Sequence, residues 1–235
     1  MKHRSGGLLS PVDRGGKMFS LESFHEQYPT EATEIVVAGR KFQILLPRDL
    51  NDFINPADIF DDFPLWAKLW KASWILADFL QQKAVDPDKH LLEIGGGLGL
   101  VSIVGCACGH RMTMTEYNPH ALQFAQANAH LNNCAQLPVV RLDWNRPKLY
   151  GSFDTILASE VVYKTHDFAP LLKLFQTYLA PAGEIILASE MRKTIGEFYQ
   201  FFQSSFDITA LKKVLRSEEE ETLVTLFKLK LKPKE

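Results

Sequence analysis

The run Leu91-Leu92-Glu93-Ile94-Gly95-Gly96-Gly97-Leu98-Gly99-Leu100 is apolar up to an acid and then breaks into glycines, and the next apolar run ends at a second acid, Glu116. The chemistry this spacing permits is the binding of a nucleoside. Without Cβ atoms, Gly95, Gly97 and Gly99 let the backbone turn tightly and approach a ligand, and the free N–H groups that open the following helix suit an anion such as a carboxylate. An acid about 20 residues past such a loop, at the tip of the next strand, suits ribose hydroxyls. A dinucleotide fingerprint starting at Gly95 needs glycine or alanine at position 100, which is Leu100. The sequence contains no Walker pattern, and the loop has no basic residue to meet a pyrophosphate. The expected ligand is a nucleoside cofactor without phosphate.

Other residues of chemical interest are Asp143 beside Trp144, the segment Ser159-Glu160-Val161-Val162-Tyr163, and the group Cys106-Ala107-Cys108-Gly109-His110. The cysteine group invites a metal, but it lacks a fourth ligand nearby and falls in a stretch of small helical residues. Core packing is therefore expected there, and no metal site. With Cys134 the thiols number three, too few and too odd for a disulfide framework, which agrees with a reducing, cytoplasmic compartment.

These residues need elements to hold them. Residues 1–19 are rich in glycine, serine and basic side chains and read as a loose tail ahead of one domain over 20–235, divided into an extension (20–85) and a core (86–235). Alternation on either side of Ala38-Gly39 predicts a β-hairpin over 33–46. Asp61-Asp62-Phe63-Pro64 supplies caps and a first-turn proline, and 65–80 then runs without breakers, predicting one long helix. Trp66, Trp70 and Trp74 recur at i, i+4 and i+8 on it, as a packing stripe would. Beyond residue 86, strands over 90–94, 111–115, 139–142, 153–158 and 184–188 alternate with helices over 98–108, 119–131, 168–179 and 195–204. Two strands close the chain near 207–215 and 222–231, joined by Ser217 and four glutamates, so they should pair antiparallel. Such alternation implies an α/β fold with a largely parallel sheet covered on both faces. The lysines of Lys228-Leu229-Lys230-Leu231-Lys232 share one strand face, expected to be solvated.

At 46% hydrophobic and 23% charged residues, the composition is that of an ordinary globular domain. A formal charge of -2 offers no electrostatic case for a nucleic-acid or membrane-surface partner, and no apolar run reaches the length of a membrane span.

Glu93-x-Gly95-x-Gly97-x-Gly99, then Glu116, then Asp143, resembles the S-adenosylmethionine site of class I (seven-β-strand) methyltransferases, over roughly residues 60–231. The resemblance implies a Rossmann-like seven-stranded, mostly parallel sheet with an antiparallel last strand and S-adenosyl-L-methionine as cofactor. It also implies that the loop backbone holds the methionine moiety with Glu93 near its ammonium, that Glu116 binds ribose, and that Tyr117, Asp143 and Trp144 bracket adenine. Carboxylates around a sulfonium are electrostatically favourable. Pro64-Leu65-Trp66-Ala67-Lys68-Leu69-Trp70, Leu142-Asp143-Trp144 and Ser159-Glu160-Val161-Val162-Tyr163 further resemble the seven-strand protein lysine methyltransferases, whose signature after strand four is an acid, two spacers and an aromatic. Most of that group have Asp where this chain has Glu160. By this resemblance Trp70 borders the cofactor, Ser159 lies beside it, Trp66 and Trp74 remain packing residues, and Glu160 and Tyr163 are catalytic. Glu160 would orient a lysine or N-terminal amine of a protein and take or relay its proton, and Tyr163 would align the nitrogen. Base methyltransferases carry two prolines where this chain has Val161-Val162, which speaks against a nucleic-acid acceptor. A small amine or heterocycle as acceptor, and a noncatalytic cofactor-binding partner protein, are the competing expectations.

Overall fold

The computed structural model describes residues 19–54, 63–190, 194–216 and 221–233. The remaining residues include most of the expected tail, the expected caps Asp61 and Asp62, and Glu218 to Glu220 of the last hairpin, all of which lie outside the described residues.

A short helix, α1 (Leu21–Gln27), opens the described chain, with the Ser20 side chain accepting the Ser23 N–H as its cap. At seven residues it is too short to show helical periodicity, and what holds it is Phe24, buried edge-on against Phe124 at 5.0 Å between ring centroids. The hairpin follows as β1 (Thr30–Val37) and β2 (Arg40–Pro47). Its two turn residues, Ala38 and Gly39, both have positive φ (44° and 81°), the twist that a two-residue hairpin turn needs.

The expected long helix is two pieces. A 3-10 turn covers Leu65–Ala67, the chain runs extended through Lys68 and Trp70, and α2 begins only at Lys71 and continues to Gln82. The three tryptophans therefore do not form one helical stripe: Trp66 lies in the turn, Trp70 is the N-cap of α2 and Trp74 lies within it. The break arises because this segment crosses the glycine loop, where the Trp66 carbonyl comes close enough to crowd any side chain at Gly97.

The core elements follow in order: β3 (His90–Ile94), α3 (Leu100–Cys108), β4 (Arg111–Glu116), α4 (Pro119–Leu131), β5 (Val139–Arg141), β6 (Phe153–Ser159), α5 (Phe168–Tyr178), β7 (Leu179–Glu190), α6 (Thr194–Phe202), β8 (Phe206–Arg216) and β9 (Glu221–Leu231). Asn118 caps α4 by accepting the His120 and Ala121 N–H groups ahead of Pro119, as its sequence suggests. Nine strands form two sheets among the described residues: the hairpin, and a seven-stranded sheet ordered β5-β4-β3-β6-β7-β9-β8. All its neighbours pair parallel except β9, which is antiparallel to both β7 and β8. The last hairpin thus slots β9, not β8, beside the parallel strands.

Alternate residues of β3 feed two cores. Leu91 joins α2, α3, α4 and the hairpin through Leu76, Ile103, Phe124 and Ile44, whereas Leu92 and Ile94 join α5 and α6 through Phe175, Phe198 and Phe202. Asn128, fully buried in α4, ties the hairpin to the core: its Oδ1 accepts the Leu45 N–H at 2.7 Å and its Nδ2 donates to the Leu98 carbonyl at 3.0 Å. Lys228 is not simply part of a solvated face, because it pairs at 2.5 Å with Glu184, which also binds Lys83 at 2.6 Å. Among the described residues no helix is long and apolar enough to cross a membrane.

Candidate active site

Strand order reverses between β3 and β6, and in an open parallel sheet the crevice for a ligand forms at that switch, beyond the carboxyl ends of the strands. A cavity of about 510 Å³ lies there, a volume suited to a nucleoside-sized ligand. The glycine loop after β3 lines one side of it, the 3-10 turn and Trp70 another, and the segments after β4, β5 and β6 the rest.

In the loop, Gly97 has φ +53° and donates its N–H to Glu116 Oε2 at 2.9 Å. A Cβ there would stand 3.0 Å from the Trp66 carbonyl oxygen, so a side chain at this position would be strained by conformation and crowded in space. Gly95 and Gly97 border the cavity. Gly99 does not: it is the left-handed N-cap of α3 (φ +88°), packed toward Ala125 of α4. Glu93 also lies off the cavity wall. Strand alternation turns it toward α3, where it is buried and its Oε2 accepts both the N–H and the hydroxyl of Ser102. Desolvation pushes its carboxyl up to about 8, against the Ser102 bonds that favour the anion, with Glu116 adding repulsion. Glu93 therefore underpins the loop from behind.

Glu116 is held by three backbone donors, Gly97 on Oε2 and Tyr117 (2.7 Å) and Asn118 (3.0 Å) on Oε1. A carboxylate has about four acceptor sites, so this one can still take a hydroxyl. Tyr117 is exposed, with the Arg141 guanidinium 5.2 Å from its ring centre. Asp143 accepts the Asn145 N–H at 2.9 Å and stands beside Trp144, and both border the cavity. Trp70 donates its indole N–H to the Leu65 carbonyl at 3.0 Å, and Lys68 lies 4.4 Å over its ring.

On the far side, Ser159 at the end of β6 shares a 2.8 Å hydrogen bond with Ser73 of α2. Glu160 follows with φ +54°, a left-handed conformation that a non-glycine residue adopts at a cost of about 1–2 kcal/mol. Its N–H donates to the Ala188 carbonyl and its Oε1 accepts the Glu190 N–H at 2.6 Å, so β7 holds the strained residue by both ends. Tyr163 is partly exposed, and burial, followed by the charges of Asp167 and Glu116, raises its phenol above the ordinary value. It is thus a neutral hydroxyl able to donate or accept.

The structure therefore brings Trp70, Gly95, Gly97, Glu116, Tyr117, Asp143, Trp144, Ser159, Glu160 and Tyr163 to one cavity, and leaves Glu93 and Gly99 behind it. Sequence reasoning missed Lys68, Ser73, His166 and Asp167, which also line it. The available signal was the polar run Lys164-Thr165-His166-Asp167 directly after the E-x-x-Y segment. The donor set fits S-adenosylmethionine: a side-chain-free loop, an acid with a spare acceptor site for a ribose hydroxyl, aromatic rings for a purine, and further carboxylates for a cationic sulfur. Among the described residues no group of three or more His, Cys, Asp or Glu side chains is arranged to hold a metal ion.

A profile for a family described as lysine methyltransferase matches residues 65–205. EEF1A lysine methyltransferase 3 of Xenopus tropicalis is 31% identical over 169 residues, covering 69% of this chain and 74% of that one. Protein N-lysine methyltransferase METTL21A of Danio rerio is 34% identical over 131 residues, covering 52% of this chain and 59% of the relative, less than two thirds of its length. Among solved structures, the ribosomal protein L11 methylase of Lactobacillus delbrueckii subsp. bulgaricus shares the fold, with a TM-score of 0.55 at 20% identity, covering 69% of this chain and 81% of that one.

Proposed function

The chain belongs to the lysine methyltransferase family and is an S-adenosylmethionine-dependent methyltransferase, and from that premise we propose that it methylates the side-chain amine of a lysine in a protein. The observation that carries the acceptor side is Glu160, a buried carboxylate kept in a left-handed backbone conformation at the cavity wall. Strain of this kind persists only where the surroundings enforce it, here through the two β7 hydrogen bonds, and it aims a carboxylate where a glycine would have been cheaper.

When bound, S-adenosylmethionine supplies a methyl group on a positively charged sulfur that an amine displaces. In this reading the backbone at Gly95 and Gly97 receives its amino-acid end, Glu116 takes the ribose hydroxyls, and Tyr117, Asp143 and Trp144 enclose adenine. Trp70 borders it and Ser159 lies alongside. Freeing a lysine amine of its proton at pH 7 costs about 4.6 kcal/mol from a reference pKa of about 10.4. Glu160 orients the ammonium and accepts or relays that proton, and the neutral Tyr163 hydroxyl aligns the nitrogen lone pair. Tyr163 and His166 are solvent-accessible at the rim, which supports an acceptor presented by a protein over a small molecule sealed inside. The free thiols Cys106, Cys108 and Cys134 support a cytoplasmic setting.

The test is incubation of the protein with tritiated S-adenosylmethionine and host lysate, separated by gel, with a Glu160→Gln control. A discrete labelled protein that disappears with Glu160→Gln is the expected result. Label confined to the low-molecular-weight fraction would overturn the protein-lysine reading in favour of a small amine or heterocycle, and cofactor binding without any transfer would point to a noncatalytic partner.

A further inference from the structure

Asp167 ends the Thr165–Asp167 3-10 turn and occupies the N-cap position of α5, where an aspartate ordinarily accepts a backbone N–H of the helix. It caps nothing. Its backbone is in the right-handed helical region (φ -81°, ψ -13°), and its side chain lines the cavity, near enough to Tyr163 to raise that phenol. The other cavity acids are held by backbone N–H groups: Glu116 by three, Asp143 by Asn145, Glu160 by Glu190. The Asp167 side chain is 17% exposed, and its ion-pair partner among the described residues is His166 at 3.6 Å, itself 73% exposed. Burial raises its carboxyl, while His166 and Lys164 pull the other way. A carboxylate so desolvated and so lightly matched gains most from a cation brought to it.

We propose that Asp167 selects the charge of the acceptor, binding the incoming lysine side chain as its ammonium at the cavity rim before Glu160 and Tyr163 receive it. This rests on the amine-methylation reading above and adds to it a residue that distinguishes a cationic chain from a neutral chain of equal length. The Tyr163–Asp167 segment then works from both ends, Tyr163 next to the reacting nitrogen and Asp167 on the approach to it. No bond is made or broken in this step; the proton stays on the amine until it reaches Glu160.

The experiment titrates Nα-acetyl-lysine N-methylamide, and in parallel its uncharged counterpart Nα-acetyl-norleucine N-methylamide, into protein saturated with S-adenosylhomocysteine, followed by ligand-observed NMR. Wild type should bind the lysine compound saturably. Asp167→Asn should weaken that binding about tenfold, the scale of one lost charge-assisted hydrogen bond, while Asp167→Glu stays within about threefold of wild type. The norleucine compound should bind wild type and Asp167→Asn alike, and S-adenosylhomocysteine affinity should be unchanged by either substitution. Absence of saturable lysine binding to wild type, equal lysine binding by Asp167→Asn, an equal loss for norleucine, or a fall in S-adenosylhomocysteine affinity would each overturn the assignment. Failure of the protein-lysine reading shows separately, as a lysate in which no protein is labelled, whatever this titration reports.

Discussion

Replacing Glu93 by glutamine tests how the glycine loop is supported. Glu93 is buried, and desolvation raises its carboxyl from an ordinary 4.5 to about 8. Between those values the folded chain retains a proton that the unfolded chain has released, so stability falls as pH rises. The contribution is fully present below pH 4.5 and is lost as pH climbs through 8. The limiting slope is about 1.4 kcal/mol per pH unit, which gives on the order of 2–3 kcal/mol between pH 5.5 and 7.5. Glutamine keeps the shape and stays neutral, so Glu93→Gln should lack this slope while sharing the other titrations of the chain. The assay is urea unfolding of both proteins at pH 5.5, 6.5 and 7.5, reading the stability of wild type minus that of Glu93→Gln. That difference should fall by about 2–3 kcal/mol across the range. A difference constant to within about 0.5 kcal/mol would refute the reasoning. It would mean that the N–H and hydroxyl of Ser102, at the start of α3, hold Glu93 ionised throughout.

Two further substitutions probe the frame around the site. Gly97→Ala puts a methyl 3.0 Å from the Trp66 carbonyl in a left-handed conformation, so it should cost about 1–2 kcal/mol of stability and lower S-adenosylhomocysteine affinity at least tenfold by calorimetry; unchanged affinity would show that the loop does not shape the cofactor site. Asn128→Ala leaves the Leu45 N–H and the Leu98 carbonyl without their buried partner and should destabilise by about 2–4 kcal/mol in urea unfolding, and a loss below about 0.5 kcal/mol would show that the hairpin is not anchored there.

The parts legible in the sequence are those fixed by local geometry. Alternating apolar strands and amphipathic helices announce a covered parallel sheet, Ala38-Gly39 a hairpin turn, and Asn118-Pro119 a helix start, because period and backbone conformation are properties of neighbouring residues. That the glycine loop and Glu116 would lie together was legible for the same reason, since successive parallel strands end side by side, whereas the Gly97–Glu116 hydrogen bond itself was not. What stayed hidden depended on distant surfaces. No glycine or proline marks the break between Trp66 and Lys71; it exists because that segment must pass over the glycine loop.

The sequence by itself therefore determined the fold class and the meeting of the glycine loop with Glu116 at one cavity, the latter within two consecutive strand–helix units. Only the tertiary structure decided that Glu93 turns toward α3 while Glu116 faces the cavity, that β9 lies between β7 and β8, and that Asp167 leaves its helix uncapped to line the cavity beside Tyr163. The physical reason is that alternation along a strand says which residues share a face but not what covers that face. A side chain's partners are chosen by packing between segments far apart in the chain.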